Sequence, residues 1–196
     1  NRPYSYISVL YDTESKTYRY HVSEPILEEF EQYVRSDLTR VIRNNLMYED
    51  VEEGTARDAV FANQVAETMA EHAATVGAGT VQKLYYYFMR DFLDFGRIDA
   101  LMRDGAIEDI SCDGVGVPVF VYHRRYRDLR TNVVFEAQKL NSLAVRLAQR
   151  AGKHISVSNP LVDASLADGS RIQLTLGTDI SRRGTNFTIR KFTDVP

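Results

Sequence analysis

Apolar and polar positions alternate at the start of the chain. Tyr4, Tyr6, Ser8 and Leu10 interleave with Ser5, Ile7 and Val9, and after residues 12–16 the run Tyr18-Arg19-Tyr20-His21-Val22 alternates again. Aromatic and β-branched residues fill both arms, which predicts a β-hairpin. The period then lengthens. Ser23 or Glu24 is a candidate helix cap with Pro25 in the first turn, and Ile26, Phe30, Tyr33, Val34, Val41 and Ile42 share one helical face. A second helix is predicted from the Thr55-x-x-Asp58 box to Gly77, with Val65, Met69 and Val76 inward. A third carries Val81, Leu84, Tyr85, Phe88, Met89, Phe92 and Phe95 as a stripe, which reads as a face packed in a core rather than a cofactor site.

A short helix over residues 98–102 leads to a change of character near residue 105, after which strands dominate. Residues 108–112, 117–122 and 131–135 are predicted strands, the last two joined by the basic loop Arg124-Arg125-Tyr126-Arg127. One helix interrupts them, with Leu140, Leu143, Ala144, Leu147 and Ala148 inward and Gly152 as its stop. Strands near residues 161–166, 170–176 and 186–192 close the chain. The first two of these can be argued to their register. A two-residue Asp168-Gly169 turn would set Leu166 opposite Arg171, whereas a three-residue Ala167-Asp168-Gly169 loop aligns Val162, Ala164 and Leu166 with Ile172 and Leu174. The longer loop is expected, because a one-residue slip would expose every apolar side chain, and Gly169 then sits where a left-handed residue is needed. The expected class is α+β. Residues 1–95 form a hairpin and helices suited to docking a partner, and residues 96–196 form a second domain.

Composition changes this picture little, and charge changes it more. With 44% hydrophobic and 26% charged residues the chain has the balance of a folded globular protein. Its longest apolar stretches are too short to span a bilayer, no signal peptide is visible, and a single cysteine, Cys112, leaves neither an internal disulfide nor a thiolate metal cluster. A cytoplasmic location is the expectation. Residues 111–196 hold 13 Lys/Arg against 7 Asp/Glu and the rest 11 against 20, so the net charge of −3 divides into +6 and −9. The basic half calls for an anion, and the acidic half for solvent or a partner protein.

The candidate chemistry lies in the basic half. Ile172, Leu174 and Leu176 share one strand face, so Arg171 lies on the other, and Arg190 lies opposite Phe187 and Ile189 in the same way. If these strands pair antiparallel, Arg171 and Arg190 stand on one polar face, with Arg182 and Arg183 in the loop between. Guanidinium groups bind phosphate through paired, directional hydrogen bonds, although a solvated sheet face with surface ion pairs is an equally good reading of the spacing. His21, His72, His123 and His154 lack metal-ligand spacing, Cys112 reads as a buried thiol, and Asp109 and Asp113 as strand-end residues. The arginines of residues 124–130 form a solvated turn or a contact to a neighbouring subunit.

Several runs in order resemble the archaeal branch of the type II/type IV secretion ATPase superfamily. They are Ile107-Glu108-Asp109-Ile110-Ser111-Cys112-Asp113-Gly114, residues 119–123, Leu147-Ala148-Gln149-Arg150-Ala151-Gly152-Lys153, Asn159-Pro160, residues 168–177 and residues 183–192. The resemblance covers residues 96–196 specifically and the first 95 loosely. It implies a PAS-like N-terminal domain set over a RecA-like motor domain in a homohexameric ring, with ATP and Mg2+ bound between the two. That machinery drives protein secretion or pilus and filament assembly and docks on a membrane platform at the inner face of the membrane. The resemblance also implies that Arg171 and Arg190, with Arg183 as a third candidate, reach the ATP phosphates. No segment fits G-x-x-x-x-G-K-[ST], the loop that holds phosphates in such motors, and the family places it after the Arg-Lys-Phe strand. These 196 residues by themselves are expected to hydrolyse no ATP and to need no cofactor. A nucleic-acid-binding module, using Tyr122, Tyr126 and Phe187 for stacking, and a protein-docking module are the competing classes; with an acidic chain and no groove-reading motif, nucleic acid is not expected as a partner.

Overall fold

The computed structural model describes residues 4–47 and 55–192; the side chains of residues 43–47, 55–58 and 72–75 lie outside that description, and with them the Thr55-x-x-Asp58 box and His72. The strands are β1 (Tyr6–Asp12), β2 (Thr17–Ser23), β3 (Ile107–Cys112), β4 (Pro118–His123), β5 (Arg127–Val134), β6 (Leu161–Ser165), β7 (Arg171–Thr175) and β8 (Asn186–Arg190). The helices are α1 (Glu29–Met47), α2 (Thr55–Val76), α3 (Ala78–Phe88), continued by a wider π turn over Met89–Leu93, α4 (Asp99–Arg103) and α5 (Ala137–Arg150). This is the expected α+β class. The strands form one sheet in the order β1-β2-β5-β4-β3-β8-β7-β6, in which only β2 and β5 run parallel.

Contacts divide the chain into a helical unit built on Glu24–Gly96 and a sheet unit that joins Tyr6–Ser23 to the residues from Arg97 onward. The sequence boundary near residue 96 grouped the hairpin with the helices. Its membership of the sheet comes from the β2–β5 pairing, a contact between segments 111 residues apart that leaves no local pattern in either.

In the helical unit Leu38, Ile42, Phe61, Val65, Met69, Leu84 and Phe88 form one buried cluster. The inward stripe of α1 is Glu31, Val34, Leu38 and Ile42, whereas Ile26, Phe30 and Tyr33, expected inside, are 85%, 58% and 71% exposed. Glu31 rotates the helix this way. Its carboxylate accepts the Glu28 N–H (2.9 Å), the Thr80 hydroxyl (2.8 Å) and the Lys83 ammonium (3.0 Å), so a charged residue occupies the packed face with its hydrogen bonds met. Glu24 caps no helix; its carboxylate instead accepts from Tyr86 Oη at 2.8 Å and from Arg90. That anchor, with Tyr87 donating to the Pro25 carbonyl, explains why Tyr86 and Tyr87 are buried while Tyr85, placed inside by the spacing, is exposed.

In the sheet unit the inward residues are the apolar alternates. Ile110, Val121, Leu129, Ile172 and Ile189 are all buried, and α5 packs on β7 and β8 through a face that includes Leu140, Ala144 and Leu147. Helix α5 stops as expected: the Gly152 N–H donates to Gln149 O and the Lys153 N–H to Ala148 O, with Gly152 left-handed at φ 64°. The β6–β7 register is the one the alternation required. Val162 faces Leu174, Ala164 faces Ile172, and Leu166 N–H donates to Ser170 O across a three-residue loop with Gly169 at φ 85°. The basic loop is shorter than expected, because β5 already starts at Arg127. His123 Nδ1 accepts the Arg125 N–H at 3.1 Å, and this side-chain turn lets β4 and β5 meet across three residues.

Candidate functional site

The β7–β8 ladder places Arg171 directly opposite Arg190, Gln173 opposite Thr188 and Thr175 opposite Asn186. Their neighbours Ile172, Leu174, Phe187 and Ile189 are buried on the other face, so the two arginines stand side by side on an exposed polar surface. Like charges directly opposite one another destabilise a sheet. Each of these is offset by a carboxylate on its outer flank. Arg171 donates Nε and Nη2 to the two oxygens of Asp163 (3.1 and 3.2 Å), and Gln173 Nε2 approaches the same carboxylate at 3.4 Å. Arg190 donates Nε to Asp109 Oδ1 at 3.0 Å across the β3–β8 ladder. Hydrogen bonding from Arg171 holds the Asp163 carboxyl below its usual range, and Asp163 in turn raises the Arg171 guanidinium. Asp163 and Asp109 pull the heads toward β6 and β3. Arg190 thereby keeps both terminal nitrogens, and Arg171 one, without a hydrogen-bond partner among the described residues.

Arg183 is not part of this pair. It precedes β8, whereas Arg190 ends it, so it lies beyond the opposite end of the ladder. There its carbonyl accepts the Val115 N–H at 3.1 Å and its backbone closes on Gly114, while its side chain is exposed. The loop between β7 and β8 is closed at its base by Thr185, whose hydroxyl accepts the Gly177 N–H (2.9 Å) and donates to Asn141 of α5.

Other residues singled out from the pattern have structural roles. Asp109 holds Arg190, and Asp113 accepts from Ser111 Oγ at 2.9 Å rather than pairing with Asp109. Burial pushes the Cys112 thiol up, away from a reactive thiolate. Lys191, the middle residue of the Arg-Lys-Phe run, turns away from the arginine face. Its half-buried ammonium donates to the carbonyls of Leu101 and Asp104 at the end of α4, which ties β8 to that helix. Asp163, the partner of Arg171, is not singled out by the sequence pattern; its place on the polar alternation of β6 is the available signal. Among the described residues no group of carboxylates, histidines or cysteine has the geometry of a metal site, and no helix is long and apolar enough to cross a membrane.

Comparison with known proteins places the chain. It is 40% identical over 178 residues to the uncharacterized protein MJ1288 of Methanocaldococcus jannaschii, an alignment that takes in 89% of this chain and 70% of that protein. The chain belongs to the MJ1288 family. Two further proteins of that organism are related to this MJ1288 family member. MJ0900 is 31% identical over 215 residues and MJ0781 34% identical over 108, and the chain spans 38% and 15% of their respective lengths. No family model matches the chain. Among solved structures it is similar to the VirB11 ATPase from the Brucella suis type IV secretion system in complex with sulphate. That match has a TM-score of 0.40 and 24% identity over 47% of this chain and 28% of the other, too weak to transfer a role.

Proposed function

We propose that the sheet unit is the nucleotide-clamping domain of a secretion-type motor ATPase, with Arg171 and Arg190 holding the terminal phosphates of ATP bound with Mg2+. The observation that carries this reading is the cross-strand pairing of the two arginines on an exposed face. It adds to the motif resemblance over residues 96–196. Their present partners are easily exchanged. Exposed ion pairs are screened by water and hold their partners weakly, and a phosphate offers more charge and more acceptor oxygens than either carboxylate. A phosphate laid over the ladder therefore gains contacts from both guanidiniums at little cost in lost carboxylate pairs. Fixed to β7 and β8, the two heads report the presence of that phosphate to the whole sheet. Loss of the phosphate after hydrolysis weakens the closed state by the same contacts, a population shift that drives opening. Arg183 is left out of this clamp. A homohexameric ring at the cytoplasmic face of a membrane, engaged with a secretion or filament-assembly platform, completes the reading.

The test uses the protein in which this chain is joined to a motor domain. Arg171→Ala and Arg190→Ala are each expected to lower kcat/KM for ATP by about 100-fold, equivalent to some 2.7 kcal/mol of transition-state stabilisation. Arg183→Ala is expected to stay within about threefold of the parent. Unchanged turnover in both of the first two variants would remove the arginine pair from the nucleotide site.

A further inference from the structure

A second arginine pair stands on the same face of the sheet, and its surroundings are different. Where β2 meets β5 the ladder is two register pairs long, Arg19 beside Arg130 and Tyr20 beside Thr131. Beyond it the strands part. The side-chain amide of Asn132 replaces the backbone ladder, accepting the Val22 N–H at 2.8 Å and donating to Val22 O at 2.9 Å. A groove of about 400 Å³ opens at this parting, with Leu10, Pro118 and Val134 as apolar walls and Asp12, Arg19, His21 and Arg130 among its polar ones. Register partners share a face, and the row Arg19, Arg130, Phe120, Ser111, Thr188, Gln173 runs without a break to the face of Arg171 and Arg190.

Charge in the groove does not balance. Arg19 pairs with Asp12, whose other oxygen is committed to the N–H groups of Glu14 and Ser15 in the β1–β2 turn. The Arg130 guanidinium has no hydrogen-bond or ion-pair partner among the described residues. An uncompensated cation beside a second guanidinium and against an apolar wall is unfavourable for an empty sheet face and favourable for an anion. We propose that this groove is a binding site for a phosphomonoester of about nucleoside-monophosphate size, its phosphate between Arg19 and Arg130 and its body against Leu10, Pro118 and Val134. Two guanidinium forks on adjacent strands approach one point from two directions. The three terminal oxygens and double charge of a phosphate monoester suit two forks converging from different directions better than a carboxylate, which carries one charge and whose lone pairs lie in a single plane. The volume is at the lower end of the range for small-ligand pockets. The site is separate from the proposed ATP clamp: β5 is three strands from β8, or about 14 Å, so one phosphate cannot bridge the two arginine pairs.

Titration of the 196-residue chain with AMP, inorganic phosphate and acetate, followed through backbone amide resonances, tests the proposal. AMP is expected to give saturable shifts at Leu10, His21 and Asn132, with inorganic phosphate weaker at the same residues and acetate without effect. Arg130→Gln removes an exposed, unpartnered head and is expected to weaken AMP by tenfold or more, about 1.4 kcal/mol. The double variant Arg171→Ala with Arg190→Ala is expected to bind AMP at these residues within about twofold of the parent. The site is refuted by absence of saturable shifts in the groove at about 10 mM AMP, or by an Arg130→Gln chain that binds as the parent does. Acetate matching AMP would overturn the phosphate assignment, and loss of the groove shifts in the double variant would make this an extension of the ATP clamp instead of a second site.

Discussion

Arg90 is 5% exposed and keeps its charge. Burial by itself would lower its proton affinity, but Asp91 and Glu24 raise it well above the usual value. Its Nη1 donates to Glu24 and its Nε to Asp91 at 2.7 Å, and its head lies 4.8 Å from the centre of the Tyr87 ring, which Arg35 approaches at 4.5 Å. Breaking such a buried pair from one side leaves a charge stranded. Arg90→Met is expected to cost about 3 kcal/mol in urea unfolding, and adding Glu24→Gln to recover part of that loss. Strictly additive losses would show that the two side chains are not coupled. Glu31 gives the pH-dependent counterpart. Burial would raise its carboxyl, but the Glu28 N–H, Lys83 and Thr80 together hold it below the ordinary value of 4.5. The fold thus prefers the charged form, so its stabilisation is complete above pH 4.5 and is lost as pH falls through the lower folded value. Glu31→Gln is expected to lose about 2 kcal/mol at neutral pH and to show a flatter acid limb in unfolding titrations. The sequence could reveal the face of Arg171 and Arg190, because strand alternation is local. It could not reveal Glu31, since a carboxylate on a packed helical face is decided by Thr80 and Lys83, some fifty residues away.

Elements were legible where one face is buried and a turn residue is constrained. The β6–β7 hairpin met both conditions, and its three-residue loop follows from alternation and Gly169 together. Helix α1 buries one face but has no constrained turn residue: Phe30 and Tyr33, with Ile26 just ahead of the helix, outnumber the buried apolar positions of its first turns, so the spacing pointed to the wrong face. Gly114 shows a constraint that composition hides. It has φ 134°, and a Cβ there would stand 2.6 Å from both Cβ and O of Arg183, backbone-fixed atoms that cannot swing aside. The turn after β3 and the loop before β8 are thus held together by the absence of a side chain. Gly114→Ala is expected to cost roughly 2–4 kcal/mol, measured as a lower urea midpoint at unchanged slope. Gly105→Ala, with nothing within 4 Å of its added carbon, is the control, expected within about 0.5 kcal/mol of the parent. Equal behaviour of the two would mean that the Arg183 loop moves freely to admit the methyl group.

At the scale of the molecule, the chain leaves the sheet after β2, builds a helical unit with its own core, and returns to the sheet through α4 and β3. The hairpin is therefore the part of the sheet whose attachment depends least on chain continuity. Its attachment to the rest of the sheet unit includes two register pairs with β5, the Asn132 amide on Val22, the ring contact of Tyr18 with Tyr126, and the buried Tyr20, whose hydroxyl reaches Asp104 at 2.8 Å. No local pattern could announce this, because a parallel partner far along the chain is chosen by the assembled sheet and not by either strand alone. It also sets an order of local stability. β7, β8 and β3 are each paired on both sides and covered by apolar packing, whereas β1 is an edge strand and β2 is held on its inner side by the short ladder. Asn132→Ala removes two hydrogen bonds at that seam and is expected to raise amide exchange in β1 and β2 by at least tenfold, leaving β3, β7 and β8 near their parental rates. A uniform rise across all eight strands would mean that the hairpin opens only when the whole sheet unfolds. In that case the groove between Arg19 and Arg130 is as rigid as the β7–β8 ladder, and a ligand bound there would stabilise the entire sheet unit by its own binding free energy rather than the hairpin alone.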